Sequence, residues 1–194
     1  IRWVAISAFS VEAAGALIFA FRFIPAYGPG KGLFYSIFHA VSAFCNAGFD
    51  IFGCITPGAS LAEFNSDPVV LLTLGALVVI GGLGFLVWEE VVRVRRFKKM
   101  SVYTRLVLVT TLSLLILGTV LFAVLEWNNP ATIGNMSIGD KLLNSFFQSV
   151  TTRTAGFSAI DQAGLSEAGK GITIAWMLVG GASGSTAGGA KIVT

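Results

Sequence analysis

The sequence predicts an all-α integral membrane protein in which a unit of span, short re-entrant helix and span occurs in tandem. Of its 194 residues, 55% are hydrophobic and only 12% are charged, about half the charged share of a soluble domain. A soluble protein of this size could not bury so much apolar surface. Long apolar stretches also recur at the length that crosses the ~30 Å hydrocarbon core of a bilayer. Lipid is therefore the predicted solvent and partner.

Four stretches are predicted to span the membrane. Residues 69–88 and 106–125 are two runs of twenty residues without a charge, and a helix of that length crosses the hydrocarbon at 1.5 Å per residue. A third span is predicted at residues 3–21. A fourth is predicted at residues 172–193, interrupted near its middle by a run of small residues.

Two apolar stretches between these spans are too short to cross. They are residues 33–45 and residues 142–152, and each leads into an Ala-Gly-Phe tripeptide. Apolar runs of this length are either core helices or re-entrant segments. Because each lies between two spans and leads into the same tripeptide, re-entrant helices are the favoured interpretation.

A cluster of positive charge after the second span sets the predicted orientation. Its members are Arg93, Arg95, Arg96, Lys98, Lys99 and Arg105. The positive-inside rule places this loop in the cytoplasm, so both short helices would enter from outside. A nucleic-acid or lipid-headgroup patch is the alternative, but the flanking spans favour the topological interpretation, and no nucleic acid is expected as a partner.

The chain repeats with a period of about 108 residues. Residues 36–41 align with residues 145–150, and the Ala-Gly-Phe tripeptides at 47–49 and 155–157 align after a slip of one residue. Each unit has the organisation of a potassium-channel subunit. The predicted repeats are residues 1–100, which end in the basic loop, and residues 101–194.

The two Ala-Gly-Phe turns indicate an ion-selectivity filter. Potassium is selected when backbone carbonyls replace its hydration water, and glycine allows the positive φ values that such a turn needs. The negative C-terminal ends of the preceding helices also favour a cation. The predicted filter residues are Asn46, Ala47, Gly48, Phe49, Thr154, Ala155, Gly156 and Phe157.

Within this filter, K⁺ is expected at the backbone carbonyls of Gly48 and Gly156. Asn46 and Thr154 are small polar residues that can brace the turns by hydrogen bonds. The alternative is an ordinary helix stop with glycine at the cap. That alternative would suit one such tripeptide, whereas two in equivalent positions favour the filter.

A run of small residues breaks the fourth predicted span and is a candidate gate. Non-helical backbone at this depth is tolerated only where it faces protein or a water-filled cavity. The candidate gate residues are Gly180, Gly181, Ala182, Ser183, Gly184, Ser185, Thr186, Ala187, Gly188, Gly189 and Lys191. A phosphate-binding loop is disfavoured because Ala190 stands where that motif has lysine. Lys191 could bind a carbonyl or carboxylate of the closed form or extend to the membrane surface.

Glu12 and His39 are polar residues within the predicted membrane region, and Arg153 lies one residue before the second filter. His39 is expected to have a hydrogen-bonded role on the first short helix, and Arg153 is expected to anchor the second through an acidic neighbour. His39 is the only histidine, and no nucleophile, base or metal constellation accompanies it. We therefore predict that the protein is not an enzyme and needs no cofactor.

The motifs together resemble the Trk/Ktr/HKT potassium transporter superfamily, above all the membrane subunit of bacterial Ktr systems. Residues 38–50 resemble its second pore loop, residues 145–157 its third, and residues 180–191 its intramembrane loop. Family members carry four such repeats, so the chain is similar to an internal fragment with the second repeat and most of the third. One departure is Ser183, where the family loop usually has proline.

The resemblance implies inward transport of potassium, with sodium as a second candidate, through a multi-pass pore in the plasma membrane. It further implies a homodimer and a cytoplasmic nucleotide-binding regulatory subunit. The rival function is a secondary cation or solute transporter with broken helices and inverted repeats. The repeats here are parallel, since both short helices are predicted to enter from one side, and this disfavours the rival.

Overall fold

The computed structural model describes residues 2–54 and 60–191, and these ranges are nearly all helical. The helices are α1 (Arg2–Tyr27), α2 (Pro29–Phe44), α3 (Pro68–Leu83), α4 (Phe85–Val94), α5 (Val102–Glu126), α6 (Ile138–Thr151) and α7 (Glu167–Leu178). Among the described residues, α1 and α5 are long and apolar enough to cross a membrane, and the bent pair α3–α4 makes a third candidate span. The predicted all-α membrane class is confirmed.

Several helices begin where capping chemistry places them. Asp67 caps α3 by accepting from the Val69 amide at 3.0 Å, and proline follows at the first helical position. Ser101, Ser137 and Ser166 cap α5, α6 and α7 by accepting from the amide three residues ahead. These caps satisfy amides that a helix start leaves without partners.

Helix α3 is the centre of the packing. It contacts α1, α2, α5 and α6, while α1 packs on α2 and α5 packs on α6. The α1–α2 pair approaches closely at Gly32, where an added Cβ would lie 2.6 Å from the Phe23 carbonyl oxygen. Each short helix is thus held between its own long helix and the shared α3, which brings the two predicted filter turns to the same region.

The second predicted span is not one continuous helix, and this part of the prediction is wrong. Helix α3 ends at Leu83, α4 begins at Phe85, and their axes differ by 97°. Gly84 makes the bend with φ +83°, a conformation that glycine adopts readily and other residues resist. The bend separates the apolar helix α3 from α4, which leads into the basic loop.

The break in the fourth predicted span is present. Helix α7 begins at Glu167 and ends at Leu178, and non-helical backbone follows through residue 191. The end of that predicted span, at residues 192 and 193, lies outside the described residues. The helix supplies ~18 Å of length, so the non-helical segment starts a little beyond half of the hydrocarbon thickness.

Candidate functional site

The two turns predicted as filters have the same unusual backbone. Asn46 and Gly48 have φ of +50° and +70°, and their counterparts Thr154 and Gly156 have +69° and +88°. The alanine between each pair does not have positive φ. Backbone that alternates in this way can turn successive carbonyls toward one side, as a set of carbonyl ligands for an ion requires. We call residues 46–49 the first turn and residues 154–157 the second turn.

A hydroxyl from the preceding helix fixes the end of each turn. Ser42 Oγ donates to the Phe49 carbonyl at 2.7 Å, and Thr151 Oγ1 donates to the Phe157 carbonyl at 2.6 Å. Both hydroxyls are buried. Sequence reasoning missed this pair, although both positions carry a hydroxyl one turn before the aligned tripeptides.

The two turns face each other in close contact. A Cβ built on Gly48 would lie 2.3 Å from the Ala155 carbonyl oxygen and 2.7 Å from Gly156 Cα. A Cβ on Gly156 would lie 3.2 Å from Gly48 Cα. The absence of side chains at both positions is therefore a condition for bringing the turns together.

The small-residue loop, residues 180–189, contacts both turns. Thr186 Oγ1 donates to the Phe44 carbonyl at 2.9 Å and accepts from Asn46 Nδ2 at 2.9 Å. The Gly188 amide donates to Thr154 Oγ1 at 3.0 Å. The side chains of Asn46 and Thr154 thus both bond to this loop, and their bracing of the turns stays a prediction.

The same loop fills the break between α3 and α4. The Ala182 amide donates to the Gly82 carbonyl at 3.0 Å, and the Thr186 amide donates to the Gly81 carbonyl at 3.3 Å. The Gly184 carbonyl accepts from the Phe85 amide at 3.4 Å. The loop thus satisfies polar groups at the end of α3 and the start of α4 that would otherwise lack helical partners.

The loop is closed at its base. A bridge pairs Val179 with Ala190, and the Gly180 amide donates to the Ala190 carbonyl at 2.9 Å. Lys191 Nζ donates to the Ala187 carbonyl at 2.5 Å. Of the roles considered for Lys191, the structure shows the bond to a carbonyl within the loop.

Equivalent positions behind the two turns carry different chemistry. His39 is fully buried, its Nδ1 lies 2.7 Å from the Tyr35 carbonyl, and its ring stacks on Phe52 with centroids 4.3 Å apart. Its counterpart Gln148 exchanges two hydrogen bonds with Gln162, at 2.7 and 3.1 Å. The first turn is backed by aromatic rings and the second by an amide pair, so the repeats are not interchangeable.

Arg153, beside the second turn, does not have the acidic neighbour expected from the sequence. Within the described ranges its guanidinium forms no ion pair, and its Nη2 donates to the Gly180 carbonyl at 3.4 Å. Arg153, Asn46 and Thr111 also line one small cavity between α3, α5 and the loop. Arg153 therefore links the second turn to the base of the loop rather than to a carboxylate.

These features define a multi-pass membrane protein with paired re-entrant helices, each ending in a glycine turn. Residues 1–194 match the TrkH family, described as cation transport protein. The chain belongs to this family. The predicted resemblance is confirmed at the level of the superfamily.

Similarity to individual relatives and to a solved structure agrees with this family assignment. The chain is 42% identical to the potassium/sodium uptake protein NtpJ of Enterococcus hirae and 42% identical to the Ktr system potassium uptake protein B of Bacillus subtilis. Each alignment covers 95% of this chain and 40% of the relative. The crystal structure of the potassium transporter TrkH from Vibrio parahaemolyticus matches with TM-score 0.74 at 21% identity, covering 95% of this chain and 36% of that one. That likeness shows the same fold.

The chain spans 40% of the length of the two relatives described above. The family and these relatives carry the names of ion transport and uptake proteins, not of enzymes, in agreement with the prediction from the sequence.

Proposed function

We propose that the chain supplies two pore repeats, residues 1–100 and 101–194, to a potassium-uptake protein of the plasma membrane. The observation that carries this proposal is the pair of facing turns with alternating φ signs. Their carbonyls form part of the selectivity filter, with K⁺ at those of Gly48 and Gly156. The chain covers 40% of the length of the two relatives, which supports a longer protein in which further repeats complete the ring of carbonyls around the ion.

The small-residue loop is proposed as the gate of this pore. It bonds to Asn46 of the first turn and to Thr154 of the second turn, and would lie across the ion path on their inner side. Its backbone makes hydrogen bonds to other segments instead of an internal helical ladder, so it can exchange those partners when it moves. We further propose, as the resemblance to Ktr membrane subunits implies, that the complete protein forms a homodimer and is controlled by a cytoplasmic nucleotide-binding subunit; the name of one relative as a Ktr system protein is consistent with a multi-component system. Sodium is a second candidate ion because another is named a potassium/sodium uptake protein.

The direct test is ion uptake by the full-length protein in cells that lack their own potassium-uptake systems. Expression should restore growth on limiting potassium, and potassium should enter faster than sodium at equal concentrations. A folded, membrane-inserted protein that moves neither ion would refute the proposed function.

Loss of either bracing hydroxyl should weaken selectivity without loss of the fold. Ser42→Ala and Thr151→Val each remove one buried hydrogen bond to the end of a turn, worth about 1 kcal/mol. We expect the ratio of potassium to sodium uptake to fall severalfold, roughly the factor of five that such an energy supports.

Ser10→Ala and Thr119→Val are matched controls for this pair. Each removes a hydroxyl that, among the residues that the structure describes, bonds only to a carbonyl four residues earlier in its own helix, at 2.7 Å. The controls should keep the original selectivity. Equal selectivity in all four variants would show that the bracing hydroxyls do not shape the filter.

A further inference from the structure

Tyr103 contacts the small-residue loop at Ser183, apart from the loop residues that bond to the two turns. It lies in the first turn of α5, and its hydroxyl donates to the Ser183 carbonyl at 3.1 Å. The two residues are 80 positions apart in the chain. This bond therefore ties the start of α5 to the exposed tip of the loop.

The start of α5 is itself fixed to α4 by one carboxylate. Glu90 accepts from the Ser101 amide at 2.5 Å, from the Ser101 hydroxyl at 2.6 Å, and from the Thr104 hydroxyl. Ser101 is also the residue that caps α5. The bonded residues, Ser101 and Thr104, lie on either side of Tyr103 in the sequence, so they fix the position from which its side chain extends.

Apolar contacts complete the same attachment. Ala182 is fully buried and packs in one cluster with Val87 of α4 and Val107 of α5. Tyr103 lies against this cluster. The loop is thus held at two places: residues 186 and 188 bond to the turns, and residues 182–184 contact α4 and α5.

We propose that Tyr103 is a positioning residue that holds the small-residue loop across the ion path, and that Glu90 sets the position of Tyr103. The inference rests on the proposed gate function of the loop. Tyr103 touches neither turn by the bonds described above, so its loss should change how often the path is open and leave ion preference unchanged.

Tyr103→Phe removes only the hydroxyl that bonds to Ser183. The uptake rate of the full-length protein should rise about two- to tenfold, the range that one net hydrogen bond supports. The ratio of potassium to sodium uptake should stay constant. Tyr27→Phe is the matched control, because the Tyr27 hydroxyl donates to Glu63 at 3.5 Å and not to a residue of the loop, and it should leave the rate unchanged.

A second pair of variants examines the role of Glu90 in positioning. Thr104→Val keeps the shape of the side chain and removes its bond to Glu90, whereas Thr104→Ser keeps the hydroxyl. The valine variant should raise uptake in the direction of Tyr103→Phe, and the serine variant should behave as the original protein. Equal uptake by the valine and serine variants would overturn the part assigned to Glu90.

A combined variant distinguishes the loss of the Tyr103–Ser183 hydrogen bond from a general structural effect of the substitution. Tyr103→Phe should add nothing to a protein from which residues 183–188 are deleted, because the bond partner is gone. If the deletion raises uptake and Tyr103→Phe alone does not, the Tyr103 inference is wrong and the gate stands. An added increase in the deletion background would also overturn it. If the deletion itself does not raise uptake, the proposed gate function is refuted, and the Tyr103 inference that rests on it is refuted as well.

Discussion

Replacing Gly48 by alanine should nearly abolish potassium uptake. The added Cβ would lie 2.3 Å from the Ala155 carbonyl oxygen, and the φ of +70° is strained for any residue with a side chain. Left-handed backbone alone costs about 1–2 kcal/mol, and the collision must also displace the second turn. We expect the uptake rate to fall by more than about tenfold, the factor that corresponds to 1.36 kcal/mol.

Gly156→Ala should be less severe than Gly48→Ala, because its Cβ would lie 3.2 Å from the nearest atom, Gly48 Cα. Gly30→Ala in α2 is the control, since its Cβ meets nothing within 4 Å and its φ is not positive. Uptake is measured on protein matched for membrane abundance. Full uptake and selectivity in the Gly48 variant would refute the filter assignment.

Features set by local sequence were predictable. The uncharged run at 106–125 lies within α5, and the two short helices end beside the predicted turns. Hydrophobic length, capping serines and glycine turns act within a few residues, so they can be read along the chain. The equivalence of the two turns was predictable because the residues around each tripeptide recur in the internal repeat.

Features set by contacts between distant segments were not predictable. The apolar run at 69–88 contains no charge or proline, and hydropathy alone predicts a straight span there. The bend at Gly84 depends on bonds from residues about 100 positions later, although the sequence Gly81-Gly82-Leu83-Gly84 was an available sign of helix weakness. Arg153 was misjudged likewise, because its partner is a backbone carbonyl of the loop, which no charge pattern reveals.

The bend and the loop share hydrogen bonds, and these give the proposed gate a physical basis. The carbonyls of Gly81 and Gly82 and the amide of Phe85 bond to the loop. If the loop moved away, these groups would need water or helical partners, since unpaired groups inside a membrane are costly. A wetted path supplies that water, so opening the loop and hydrating the pore should occur together.

Deleting residues 183–188 should raise the potassium uptake rate by at least about tenfold. The deletion removes the Thr186 bonds to Phe44 at the end of α2 and to Asn46 of the first turn, together with the Gly188 bond to Thr154 of the second turn. Net hydrogen bonds contribute about 1 kcal/mol each, so losing these three should strongly disfavour the closed path. Residues 181 and 182 would then connect Gly180 to Gly189, and this short connection is feasible because the two glycines already lie side by side, with an added Cβ on Gly189 3.0 Å from Gly180 Cα.

Selectivity should survive this deletion, because Ser42 and Thr151 hold each turn from within its own repeat. Dependence of uptake on any regulatory partner should weaken at the same time, since the partner would lose the element that it controls. Thr186→Val is a milder companion that keeps the loop length and removes only the bridging hydroxyl, and it should shift the rate in the same direction. A folded and abundant deletion protein with unchanged or slower uptake would mean that the loop is a structural link between α7 and the turns, with no part in gating.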